Sequence, residues 1–141
     1  MPTQNLKNPD TKRNIWPKLI TLTFISLIAF VAISLLPRGF SEDTSLIGKG
    51  TNVLLLVHDS NILQSADTMV AMNEVRNEYT GRLEFLVADI QTPAGKAFAE
   101  QQGLQPAALV FFSGDGTKLQ TLYSPQTGAS LRQELNTIFQ Y

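Results

Sequence analysis

Hydrophobic and polar positions divide the chain into one unbroken apolar block and a longer region of shorter, alternating runs. Leu19 to Leu36 reads L-I-T-L-T-F-I-S-L-I-A-F-V-A-I-S-L-L, without a charge and with only Thr and Ser hydroxyls as polar groups. Such hydroxyls can bond back to carbonyls within a helix, so they are tolerated in lipid. At 1.5 Å rise per residue the block makes a helix of roughly 27 Å, close to the hydrocarbon thickness of a bilayer. Trp16 precedes it, at the level where an amphipathic ring meets headgroups, and Pro37 stops a helix just after it. The alternative is a cleaved signal peptide. The block exceeds the roughly 7–15 apolar residues of such a peptide, and Ala32-Ile33-Ser34 is a weak substitute for an A-x-A cleavage site. The pattern predicts a tail over 1–18, a retained transmembrane signal anchor over 19–36, a linker over 37–50 and one domain over 51–141.

Beyond the block the runs are short. Ser41 to Gly50 is polar and glycine-containing, as a linker would be. Val53 to Val57 (V-L-L-L-V) is continuously apolar, which predicts a strand buried on both faces. Met69, Met72, Val75 and Tyr79 recur at helical spacing over Asp67 to Tyr79, with Gly81 as the stop. Leu83 to Ile90 is a second buried strand. Pro93 to Gln102 predicts a helix that opens on proline and ends at Gly103. Ala107 to Phe112 is a third strand, with Phe111 and Phe112 directed to opposite faces. Ser113-Gly114-Asp115-Gly116 is hairpin-turn chemistry, Lys118 to Tyr123 is the partner strand, and Ala129 to Phe139 is a last amphipathic helix. The order β-α-β-α-β-β-α predicts an α/β domain with a mixed central sheet and helices on both faces.

Charge separates the two regions. Residues 1–39 carry Lys7, Lys12, Arg13, Lys18 and Arg38 against Asp10 alone, a net +4, whereas residues 40–141 carry six cations against eleven acids, a net −5. An acidic domain does not attract phosphate backbones, so nucleic acid is not expected as a partner. Four cations precede the apolar block; Arg38, Glu42 and Asp43 follow it. The positive-inside rule then keeps the N-terminus cytoplasmic and places the domain on the periplasmic or luminal side. The chain has no cysteine, which excludes disulfides, thiolate catalysis and cysteine metal sites.

Three segments carry a resemblance. Asn77 to Leu83 (N-E-Y-T-G-R-L) resembles the E-Y-x-G-K-L that ends the long second helix of thioredoxins. Gly103-Leu104-Gln105-Pro106 followed by A-A-L-V-F-F resembles the segment that carries that family's cis proline, with a shorter glycine-to-proline spacing. The F-x-x-G-turn hairpin is the third. The chain from Asn52 to Tyr141 is therefore similar to the thioredoxin-like fold. On that overlay the family's W-C-G-P-C falls on Asn61-Ile62-Leu63-Gln64-Ser65, so Ile62 and Ser65 stand where the redox cysteines would be. The family's buried aspartate falls on Leu56 and its second-helix proline on Val70. With no thiol to serve, a buried carboxylate would only cost desolvation energy, and leucine fits the site.

The individual residues offer little chemistry. His58 is the only histidine, and neighbours on an extended chain point opposite ways, so His58-Asp59-Ser60 does not make a triad. Ser65 reads as a hydroxyl capping the following helix, and Asp67 as a second cap or first-turn acid. Met69 and Met72 read as core, and Asp115-Gly116 as a turn without the further oxygen ligands of a calcium loop. Neither a metal nor a cofactor is expected. Ile62 and Leu63, with Gln64, either pack inward or form an apolar contact surface beside Pro106. The resemblance implies that Gln105 offers an unpaired backbone N–H and C=O there, which an extended peptide could join as an added strand.

The sequence thus supports a membrane-tethered, redox-inactive domain that binds or helps assemble a partner protein through Ile62, Leu63, Gln64, Gln105 and Pro106. The other readings are a non-thiol enzyme on the same scaffold, for which no nucleophile is paired with a base in the sequence, and a purely structural subunit of a membrane complex.

Overall fold

The computed structural model describes residues 15–35 and 39–141. Lys7, Lys12 and Arg13 of the tail and the helix-stopping role assigned to Pro37 lie outside them, whereas Lys18 stands in the first turn of the N-terminal helix. Two compact units result, one N-terminal and one from Gly39 to Tyr141.

The first unit is helix α1, Trp16–Leu35, with Pro17 in its first turn where a missing N–H costs nothing. Its stretch from Trp16 to Ser34 is long and apolar enough to cross a membrane. Thr21, Thr23 and Ser34 donate their hydroxyls to Pro17, Leu19 and Phe30 carbonyls at 2.8–2.9 Å, the back-bonding anticipated from the sequence.

The second unit is a mixed α/β domain. Its elements are β1 (Asn52–His58), α2 (Leu63–Val75), β2 (Leu83–Asp89), α3 (Pro93–Gln102), β3 (Leu109–Phe112), β4 (Lys118–Leu122) and α4 (Gly128–Phe139), with a 3-10 turn over Arg76–Tyr79. The four strands lie in the order β2-β1-β3-β4; β1 runs parallel to β2 and antiparallel to β3, and β4 is antiparallel to β3. The unbroken apolar run of β1 now has its reason. It is a central strand, and Val53 to Val57 are fully buried because both faces are covered.

Alternation along β1 divides the core. Leu54 and Leu56 join Met72, Val75, Phe111, Leu131 and Leu135 on the face covered by α2 and α4. Val53, Leu55 and Val57 join Val110, Phe112 and Ala99 on the face covered by α3. Phe111 and Phe112 thus part to opposite faces, as expected. Met72 is buried and Met69 is half-buried against the same cluster.

Residues 41–50 pack onto this domain. Ser41 bridges Leu86, with its carbonyl accepting the Val87 amide at 2.9 Å, and Phe40 stacks on Phe85 across a ring separation of 6.2 Å. Leu46, which ends a short 3-10 turn over Thr44–Leu46, and Ile47 pack on the opposite face. The entering chain therefore covers part of the β2 edge, which would otherwise present unpaired backbone groups. At the other edge, a bulge at Leu119 interrupts the β3–β4 pairing, and Lys118 reaches back to the Gln102 carbonyl at 3.2 Å.

Helix α3 matches its sequence signals at both ends. Thr92 accepts the Gly95 amide, Pro93 opens the helix, and Gly103 closes it at φ +64°. Helix α4 opens on a reciprocal cap between Thr127 and Ser130.

Candidate functional site

Strands β1 and β2 end side by side, at His58 and Asp89, and the chain turns away from each into a helix on a different face of the sheet. Crevices of open α/β sheets form outside such carboxyl ends. Two of the segments singled out in the sequence border the end of β1. Residues 59–62 lead from β1 to α2, and the 105–108 turn lies beside the end of β1, with the Ala107 amide donating to the Val57 carbonyl at 2.8 Å.

The corner is held by a polar tie. Ser65, fully buried in the first turn of α2, places its Oγ 2.8 Å from His58 Nδ1 and accepts the Asp59 amide at 3.1 Å. With one hydrogen and two lone pairs, Oγ can accept the Asp59 amide and still either donate to His58 Nδ1 or accept from it, according to the imidazole tautomer. Asp59 carries the next layer. One of its carboxylate oxygens accepts the Asn61 amide at 2.9 Å, the Asn61 side chain at 3.0 Å and the Gln91 side chain at 3.2 Å. The Asn61 amide bond is the main cause that holds this carboxyl below its ordinary range.

Two expectations are corrected here. Ser65 does not cap α2. The helix begins at Leu63, four residues earlier than its apolar spacing suggests, Ile62 is its N-cap without a side-chain bond, and the Ser65 hydroxyl faces back to the strand. Asp67 lies beyond the first turn and is exposed on the outer surface, so it caps nothing. A serine–histidine pair, absent from the sequence reading, does exist, because the helix start brings residue 65 back over residue 58. Its hydroxyl has no exposed surface and Asp59 is engaged elsewhere, so the pair serves geometrically as a latch between β1 and α2.

The proline is a third correction. The Gln105–Pro106 peptide is trans. The Ala108 amide donates to the Gln105 carbonyl at 3.2 Å, which closes a turn with Pro106 in its second position and Ala107 at φ +66° in its third. That is the type II pattern, whereas a cis proline takes the third position of a tight turn. The Gln105 carbonyl, expected to be unpaired, is thus bonded within its own turn.

Around the tie, apolar surface meets solvent. Ile62 is half-buried, Leu63 is 76% exposed, Gln64 and Gln105 are exposed, and Pro106 is half-buried. Of the two residues expected as an apolar wall, Leu63 points outward. Among the described residues no group of three or more His, Cys, Asp or Glu could hold a metal ion.

No family model matches the chain, and no curated protein matches it. Solved structures do: 143 chains match, and a shared fold does not by itself assign a function. One, described as the structure of a malarial protein, is 12% identical with a TM-score of 0.55, and the match covers 62% of this chain and 97% of that one. At that identity the likeness concerns fold alone.

Proposed function

We propose that this protein is a membrane-tethered, thioredoxin-like domain without redox chemistry, which binds or helps assemble a partner protein at the corner between β1 and α2. The observation that carries the reading is Leu63. A large apolar side chain stands 76% exposed at the carboxyl end of the central strand, where the fold commonly places function and where this chain has no thiol. The latch below it supports the same reading, since it fixes the backbone that presents Leu63, Gln64 and the half-buried Ile62. The turn holding Gln105 and Pro106 completes the surface with side chains.

The thioredoxin-like assignment is supported by the sheet order, by helices on both faces, and by the place of Ile62 and Ser65 at the start of the helix after the first strand. Helix α1 serves as the anchor, with the basic tail on the cytoplasmic side and the domain on the periplasmic or luminal side. Tethering confines the domain near a membrane partner and raises its effective concentration for that partner.

A photoreactive residue at position 63, compared with one at the exposed Gln101 on α3, tests the reading in native membranes. The reading requires a discrete crosslinked partner from position 63 and none from position 101. Equal crosslinking from both positions, or none from position 63, rejects it.

A further inference from the structure

The exposed side of α2 continues away from the corner. Leu63, Asp67, Val70 and Glu74 follow one another at three- and four-residue steps, so they share one ridge of the helix. Val70 is 58% exposed. Between this ridge and the loop that leads into α4 lies a groove of about 390 Å³, with Val70, Ala71 and Pro125 as its apolar walls and Asp67 and Glu74 on its rim. The loop is anchored against α2 by the buried pair of the Gln126 amide and the Thr68 hydroxyl, at 3.4 Å.

The charged residues that line the groove, Asp67 and Glu74, are both acidic. No lysine or arginine lines it. Arg132 Nη1 and the Glu74 carboxylate both lie beside Gly128, and the Arg132 guanidinium is chelated by Glu78 through three contacts of 2.7–2.9 Å. The surrounding domain is itself acidic, with a net −5 over residues 40–141. Asp67 and Glu74 are seven residues apart, which is two helical turns or about 10.5 Å along the axis. An occupant must therefore offer apolar side chains between two cations of matching separation. An α-helix with lysine or arginine at positions i and i+7 and leucine-type residues between them has that form.

We propose that the groove between α2 and the α4 loop takes a basic amphipathic helix of a partner protein, its apolar face on Val70 and Pro125 and its cations against Asp67 and Glu74. The proposal rests on the reading of this domain as a binding module and gives the partner a chemical class. Rim charges of this kind favour encounter and orientation, and their effect falls with added salt.

The test uses the full chain in nanodiscs of zwitterionic lipid, with empty discs as the background. The probe is a fluorescent fifteen-residue helical peptide with lysines at i and i+7 and leucines between them, read by anisotropy against a twin carrying glutamates. The lysine peptide should bind the loaded discs above background, more weakly at high salt, and the glutamate peptide should not. The double change Asp67→Lys with Glu74→Lys should weaken the lysine peptide by about tenfold and let the glutamate peptide bind, a rescue that a misfolded chain could not give. Binding no better than to empty discs, or binding untouched by charge reversal, overturns the proposal. The corner reading is judged separately: if charge reversal leaves the crosslink from position 63 in place, the corner surface stands and the groove is not where the partner sits.

Discussion

His58 Nδ1 and Ser65 Oγ stand 2.8 Å apart, although seven residues separate them and one lies on a strand while the other lies on a helix. The contact closes the corner because Ser65 also accepts the amide of Asp59, the residue that leaves the strand. Removing the hydroxyl leaves both groups without this partner. Ser65→Ala should therefore lower unfolding stability by about 1–3 kcal/mol, measured by urea unfolding. A change within a few tenths would show that the latch contributes nothing.

Gly95 explains why α3 can start so close to the end of β2. A methyl group on its Cα would overlap the carbonyl oxygen of Asp89, a backbone atom that cannot step aside. Gly95→Ala should cost at least about 3 kcal/mol or prevent folding, seen as lost cooperative unfolding. Gly103→Ala has open space around its added carbon and only the positive φ against it, so it should lose less. Equal losses at the two positions would contradict the packing described.

The extent to which the sequence disclosed this fold differs residue by residue. The five apolar residues of β1 and the Pro93 and Gly103 bounds of α3 were legible because burial on both faces and cap chemistry are local signals. The start of α2 was not. Leu63 is apolar yet exposed, and Ser65 is polar yet buried, so the corner inverts the usual pattern and pushes the apparent helix start to Asp67. The latch was equally hidden, since spacing along a strand says nothing of what a helix will fold back over its end. The turn around Pro106 was misread because its bonds join residues 105 and 108, a geometry that a family pattern of different spacing does not transmit.

Ala107 holds φ +66° as a buried alanine, in a position that glycine occupies more easily. Ala107→Gly removes the strain but also a buried methyl, so the two effects should offset to within about 1 kcal/mol. Ala107→Val places a β-branched side chain at a positive φ and should cost more than about 2 kcal/mol. Thermal unfolding of both variants separates them; a valine variant as stable as the glycine one would rule out the turn.

Asp115 carries the acid sensitivity of the β3–β4 turn. The Ser113 hydroxyl, followed by the Thr117 amide, lowers its carboxyl from the ordinary 3.8 to about 2. A depressed folded value means that the contribution is fully present above 3.8 and is lost as pH falls through about 2. Asp115→Asn keeps an acceptor for the Thr117 amide and removes the titration. The stability difference between parent and variant should shrink as pH is lowered through that window, read from urea midpoints. A difference constant with pH would exclude the mechanism.

The exposure of Leu63 carries the functional reading, so its replacement is the most direct test. Leu63→Asp should change the melting temperature of the domain by no more than a few degrees, because the side chain contributes little to the core. Partner capture should be lost when the detergent-solubilised full-length variant is compared with the parent. A variant that melts like the parent and still captures the same partner at the same yield would contradict the account.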